Sequence, residues 1–325
     1  MTITTATSLR WTDDGTALEF TVGDTQIVRY VYLPDDDQYE SPRPYFHPLT
    51  TLGGDEVSIF RPWDHVWHKG LSWALPNVGN HNFWGGATYT RQTGYANLDN
   101  NGSMHHDAFN AVPGAKAAGE PVGGPPVVEL GERLSVSETL SWLSQQGADV
   151  MAEKRQFAVQ LLEDAWALLF ETTMTNSSGD RLSIGSPTTE GRDNAGYGGL
   201  FWRGPRSFTG GEVLSPEGAG ADALRGTRVP WLSFTGQHDG HCRKSSLTFI
   251  EDAANPGYPN QWFVRSEPFG CVGSAPFFSE VVPVPDGGSL SYRFAVVVAD
   301  GASDAARATE YAATAKTALA EWASR

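Results

Sequence analysis

Between Gln156 and Thr175, apolar side chains recur at every second position. Phe157, Val159 and Leu161 alternate with Ala158 and Gln160, Glu163 and Asp164 interrupt, and Trp166, Leu168 and Phe170 resume the spacing. A strand turns successive side chains to opposite faces, so this period predicts a β-hairpin with its turn at the acidic pair. The same period returns in Leu290, Tyr292, Phe294, Val296 and Val298, which marks a well-buried strand stopped by Asp300-Gly301. Elsewhere 36 glycines and 20 prolines punctuate short segments rich in β-branched and aromatic residues. That is the pattern of an all-β antiparallel sandwich or barrel. One segment breaks it. After Ser303, a plausible N-cap, Asp304 to Trp322 is alanine-rich without glycine or proline, and predicts one C-terminal helix over about 303–323. Ala111 to Pro126 reads as a long loop within the β region, and no repeat of solenoid or propeller period is present. The expectation is a single β-sandwich domain spanning 1–325.

At 325 residues and 40% hydrophobic content, the chain can bury a sizeable core. Its 23 basic against 38 acidic residues give a formal charge of -15, which disfavours nucleic acid and anionic lipid as partners and favours a small molecule of little charge. Cys242 and Cys271 read as two reduced thiols, since a chain of this size needs no disulfide staple. The first ten residues lack the blocks of a signal peptide, and no apolar run approaches the roughly 20 residues of a membrane helix. A soluble, cytoplasmic protein is expected, and a homodimer stays open.

The densest chemistry lies in Arg61-Pro62-Trp63-Asp64-His65-Val66-Trp67-His68-Lys69-Gly70. Tryptophan beside hydrogen-bonding groups is how a protein builds a platform for the apolar face of a sugar or another flat ligand. Six of the eight histidines, His47, His65, His68, His81, His105 and His106, fall in the first third of the chain. Two readings follow. His65, His68 and His105 supply imidazoles to a divalent metal ion, although Pro62 and Gly70 bracket a segment too short for a good helix. Alternatively no cofactor is used and one or more of these histidines act as acid or base, with Asp64 and Lys69 placed to tune His68. For any one of them a structural hydrogen bond is the simpler role; for the cluster it is not.

Two further segments look built for ligand contact. His81 to Tyr89 offers Asn82, Trp84 and Tyr89 around the pair Gly85-Gly86, which permits close backbone approach. Ser186 to Arg206 carries Glu190, Arg192, Asn194, Tyr197, Trp202 and Arg203 among glycines, poor material for a core because arginine and glutamate are rarely buried unpaired. A structural ion-pair network is the competing account of that loop. In the catalytic reading Glu190, held ionised by Arg192, is the base, and His68 or His105 across the pocket is the acid, with His65 beside them. Trp67, Trp84 and Trp202 supply stacking surface, Arg192 and Arg203 hold sugar oxygens or a carboxylate, and Lys69, Asn82, Tyr89, Asn194 and Tyr197 complete the binding set. Trp262, Arg265, Glu267 and Glu280, near strand ends, are later candidates for the pocket wall.

Through Arg61–Gly70, Asn82-Phe83-Trp84-Gly85-Gly86 and Ser186–Pro205 the sequence resembles, over nearly its whole length, a bacterial family labelled "methane oxygenase PmoA". The label itself does not transfer, because the particulate methane monooxygenase subunit is an integral membrane protein and no span is present here. The resemblance implies a galactose-mutarotase-like β-supersandwich of antiparallel sheets with one C-terminal helix, whose members bind and transform carbohydrates on one broad sheet. It also implies a place near sugar dehydrogenases in sugar or glycoside catabolism. The Asn-His-x-Tyr-Phe-Asn signature of aldose epimerases is missing after Thr175-Asn176, so their catalytic pair has no counterpart here.

These readings converge on a carbohydrate-active enzyme that cleaves a glycosidic bond, by hydrolysis or elimination, through acid–base chemistry near the anomeric centre. A sugar epimerase or mutarotase, a non-catalytic carbohydrate-binding or sensing protein, and a metal-dependent enzyme using the early histidines are the alternatives.

Overall fold

The computed structural model describes residues 8–113 and 132–323. Most of the loop expected over Ala111–Pro126 therefore falls outside the described residues. Two large antiparallel sheets, of eleven and nine strands among the described residues, stack face to face. The fold class is all-β, as the alternation requires, with one long helix at the C-terminal end.

The hairpin forms where the period placed it. Strands Asp149–Leu161 and Ala165–Asn176 pair antiparallel, from Leu161 opposite Trp166 to Met151 opposite Asn176. Ala165–Asn176 then pairs with Ser289–Asp300, which pairs with Lys244–Glu251, and these strands form the centre of the nine-stranded sheet. Phe157, Phe170, Tyr292, Phe294, Val296 and Val298 face the other sheet and share a core with Tyr30, Phe46, Trp73, Leu200 and Val264. The intervening positions face the opposite way. Ala165, Ala167, Leu169, Ala295, Val297 and Ala299 form a shallow apolar floor, and the helix Ala305–Ala323 lies on it through Ala308, Tyr311, Ala312, Ala315, Leu319 and Trp322. Small residues on both sides let helix and sheet approach closely. The helix begins one residue later than expected. Asp304, not Ser303, caps it by accepting the Arg307 backbone N–H at 2.9 Å, while the Ser303 hydroxyl is buried against that of Ser246.

The eleven-stranded sheet positions the site. Its strands Leu71–Val78, Gly199–Arg203, Cys271–Ala275 and Gln261–Arg265 lie side by side. By alternation Trp73, Leu200, Trp202, Trp262, Val264 and Val272 face the inter-sheet core. Ala74, Phe201, Phe263, Cys271 and Ala275 face outward into a separate cluster with Trp84 and Phe278. Loops cover that outer face. Both cysteines are free, Cys271 buried here and Cys242 exposed elsewhere. No helix among the described residues is long and apolar enough to cross a membrane.

Phe170 is fully buried at the middle of the sandwich, between Phe46 and Trp73 of the facing sheet. Phe170→Ala leaves a cavity that both sheets are too rigid to close, and is expected to lower unfolding stability by about 3–5 kcal/mol. The urea midpoint measures it.

Candidate functional site

The segment Arg61–Gly70 is a loop pinned at its neck. Phe60 bridges Lys69, and the Arg61 N–H donates to the His68 carbonyl at 3.0 Å. Below it Lys69 is buried, paired with Asp36 at 2.9 Å and with Glu40, which also takes Arg61. A second buried cation, Arg43, engages all three of its guanidinium nitrogens in this region. It donates to the carbonyls of Trp67 (2.7 Å), Trp84 (3.1 Å), Ser41 (3.0 Å) and Glu40 (3.1 Å) and to the Ser72 hydroxyl (3.1 Å). Arg43 thereby holds the two tryptophan-bearing loops together. Gly85 and Gly86 take left-handed backbone (φ 101° and 71°), and any Cβ there would collide with Glu40, the Trp67 side chain or both. Their freedom admits Trp67 against the second loop.

Over the outer sheet face these loops enclose a cavity of about 390 Å³, a volume suited to a small molecule. The first loop contributes His65, Trp67 and His68, and the second Trp84, Gly85 and Ala87. The two-stranded ribbon Thr88–Thr90 with Gly94–Ala96 brings in Tyr95. Arg192 and Tyr197 come from the mid-chain loop, Phe201, Phe263 and Arg265 from the sheet, and Pro268 and Phe269 from the turn that follows. The early imidazole segment and the mid-chain arginine loop thus line one hollow. Trp84 packs on Tyr197 and on Phe201, each at 4.7 Å between ring centroids, so the walls are largely aromatic.

The two histidines stack, 4.7 Å apart and 15° from parallel, with different partners. His65 Nδ1 lies 2.8 Å from Asp64 Oδ2, which as a carboxylate only accepts; His65 therefore carries its proton on Nδ1 and leaves the Nε2 lone pair free. His68 Nδ1 lies 2.9 Å from Arg203 Nη1, which only donates; the His68 proton therefore sits on Nε2. Asp64 also accepts from Arg203 Nη2 (2.9 Å) and Arg206 Nη2 (2.7 Å). Burial works to raise the Asp64 carboxyl, but these three donors outweigh it and hold it well below the usual carboxylate range. Burial pushes His65 down against the pull of Asp64. His68 is driven well below the usual imidazole range by burial first and then by the fields of His65, Arg203 and Arg43. Both rings are neutral at neutral pH.

Several sequence expectations need correction. His105 lies on strand Ser103–Ala111 of the nine-stranded sheet, exposed and bonded to Ser103, so it joins neither an acid–base pair nor a metal set with His65 and His68. No group of three or more His, Cys, Asp or Glu able to hold a metal ion occurs among the described residues. Glu190 does not line the cavity and makes no ion pair with Arg192, which turns to Tyr95 instead. Trp202 faces the core, its indole N–H on the Val57 carbonyl. Its neighbour Arg203 faces the site but is buried behind His68 as a positioning group, its guanidinium 3.5 Å over the Phe269 ring. Lys69 is locked in its ion pairs. Asn82 is a loop brace, its Oδ1 accepting the Trp84 and Gly85 N–H groups at 2.9 and 3.0 Å. Tyr89 buttresses Tyr95, and Asn194 makes a left-handed turn (φ 53°) with its side chain exposed. Of the later candidates, Arg265 lines the cavity and Trp262 packs in the core. Phe201, Phe263 and Phe269 were missed. The alternation of Gly199–Arg203 and Gln261–Arg265 carries the only signal for the first two, and it needs the covered face to be known.

Residues 17–313 match the model described as "Family of unknown function (DUF6807)", and the chain belongs to that family. No curated protein matches the sequence. Among solved structures, the chain is similar to the α-galactosidase from Lactobacillus brevis, at 9% identity and a TM-score of 0.40, covering 93% of this chain and 40% of that one. It is also similar to the galactosidase domain of the α-galactosidase-sucrose kinase AgaSK, at 8% identity and a TM-score of 0.35, covering 91% and 41%. The chain spans about two fifths of the length of each.

The buried imidazoles make stability depend on pH. Burial also lowers His47, to about 4. An unfolded histidine takes up its proton near pH 6.5 while these folded ones resist it, so the unfolded state binds more protons and stability falls as pH drops below about 6.5. Tm is expected to decline steadily between about pH 6.5 and about pH 4.5. His68→Asn, which keeps an acceptor for Arg203, should start from a lower Tm at neutral pH and decline less steeply.

Proposed function

We propose that this member of the DUF6807 family binds a carbohydrate in the aromatic cavity and cleaves its glycosidic bond by elimination, through acid–base chemistry on the sugar ring. One observation carries the reading: two stacked, neutral imidazoles in one cavity with opposite proton roles, His65 a base at Nε2 through Asp64 and His68 a donor at Nε2 through Arg203. Groups poised in this way suit removal of a proton from carbon, with His68 donating a hydrogen bond to the oxyanion that develops. The His65 imidazolium then returns the proton to the departing oxygen. Trp67, Trp84 and Tyr197 offer the apolar surface on which a pyranose face stacks.

Hydrolysis fits less well. Most glycosidases flank the bond with two carboxyl groups, and the residues lining this cavity include no aspartate or glutamate. Epimerisation shares the first proton transfer but returns a proton to the same carbon from the opposite face and breaks no C–O bond.

In deuterium oxide, with a panel of glycosides and free sugars, NMR is expected to show either loss of one ring C–H signal or an unsaturated product. His65→Gln should cut the rate by at least about 100-fold. Asp64→Asn should slow the reaction and move the acid limb of kcat/KM to lower pH, because Asp64 favours His65 protonation. Release of reducing sugar without C–H exchange would replace elimination with hydrolysis, and binding without turnover would make the chain a sensing module.

A further inference from the structure

Two guanidinium groups in the cavity have no task in the scheme above. Arg192 and Arg265 both line it, and neither has a carboxylate within ion-pair distance among the described residues. The other cations that build this site are engaged. Arg203 and Arg206 hold Asp64, Arg61 and Lys69 hold Glu40, and Arg43 holds backbone carbonyls. Arg265 leans on the Phe263 ring at 5.4 Å, with its Nε buried and unpartnered. Arg203 Nε is also unpartnered, but its two Nη atoms are bonded.

Arg192 is held in place by neutral groups alone. Its guanidinium lies 4.8 Å from the Tyr95 ring centroid and donates to the Tyr95 hydroxyl, which is 2.9 Å from that of Tyr197. Burial, followed by the fields of Arg225 and then Arg192, works against the Arg265 charge. Holding two partly desolvated cations in one pocket without an anion costs free energy, which a bound anion offsets.

Resting on the carbohydrate reading, we propose that Arg192 and Arg265 clamp the carboxylate of an acidic sugar, so that the substrate class is uronic acid glycosides. A carboxylate fits better than a phosphate. The lining offers two guanidinium forks and tyrosine hydroxyls but no lysine and no helix terminus, a set matched to one planar monoanion. The chemistry agrees. The carboxylate acidifies the ring C–H beside it, the proton that a neutral imidazole is asked to remove. His65 Nε2 takes that proton and the C–H electron pair enters an enediolate at the carboxyl group, where the two guanidiniums offset the added negative charge. The pair then forms a ring C=C bond as the adjacent C–O bond breaks, and the departing oxygen takes the proton from His65. One glycosidic bond is exchanged for one double bond, with no water consumed and no redox change.

Calorimetric titration of the full chain at low ionic strength tests this, with D-glucuronate and D-galacturonate against D-glucose, D-galactose and inorganic phosphate. A uronate is expected to bind at least about tenfold more tightly than its neutral counterpart. Arg265→Gln and Arg192→Gln should each remove most of that preference, and Arg265→Lys should restore part of it. Circular dichroism and Tm show whether each variant is folded, and the uronate-to-neutral ratio of the unaltered protein decides the matter if one is not. Equal affinity for neutral sugars and uronates would overturn the clamp and leave the carbohydrate reading intact. Phosphate binding more tightly than either uronate, with the same arginine dependence, would overturn the carboxylate assignment. If neither uronates nor neutral sugars bind, both readings fall.

Discussion

The buried guanidinium of Arg43 is the contact on which the site's shape rests. A buried cation is tolerated only when its donors are used, and Arg43 uses them on four backbone carbonyls and a serine hydroxyl. Those carbonyls belong to three stretches of chain, around Glu40, Trp67 and Trp84. Burial lowers Arg43 to about 10, while the fields of Asp36 and Glu40 oppose the fall, so it stays a cation. The same two carboxylates neutralise Lys69 beneath the loop. The aromatic wall is therefore anchored by charge and hydrogen bonding from below, with Gly85 and Gly86 giving Trp67 the room to seat.

Above this foundation, the alternation of four strands divides the eleven-stranded sheet into two environments. Trp202, Trp262 and Val264 complete the sandwich core, while Phe201, Arg203, Phe263 and Arg265, each one residue from one of them, belong to the site. Asp64 then assigns the roles. It draws the His65 proton to Nδ1, and by holding Arg203 it keeps a donor against His68 Nδ1. Two chemically identical rings, stacked in contact, acquire opposite proton roles because one meets the Asp64 carboxylate and the other the arginine that this carboxylate holds.

The overall negative charge and the local positive potential are compatible. The chain carries -15 overall, yet the cavity lining contains two arginines and no carboxylate. Composition speaks for the whole surface. What a ligand meets is set by the few side chains that the loops turn inward, where screening is weakest.

Much of the scaffold was legible in the sequence because its information is local. The two-residue period of Phe157–Phe170 and of Leu290–Val298 fixes strands and faces, the Glu163-Asp164 break fixes a turn, and the glycine-free alanine-rich segment fixes a helix, missed only by one residue at its cap. The site was legible as a juxtaposition of segments: His65, Trp67, His68, Trp84, Arg192 and Tyr197 do share a cavity. Residue type alone determined no more than that. Tertiary structure sent Trp202 to the core and Arg203 toward the site, because a strand's inward face is defined only by what packs against it. It put His105 in the other sheet, turned Lys69 and Asn82 into braces, left Glu190 outside, and brought Arg265 into the same cavity as Arg192 from 73 positions away in the chain. Period and propensity act between neighbours in sequence; the partners of a charge or an imidazole are chosen by distances that exist only after the sheets have stacked and the loops have closed over them.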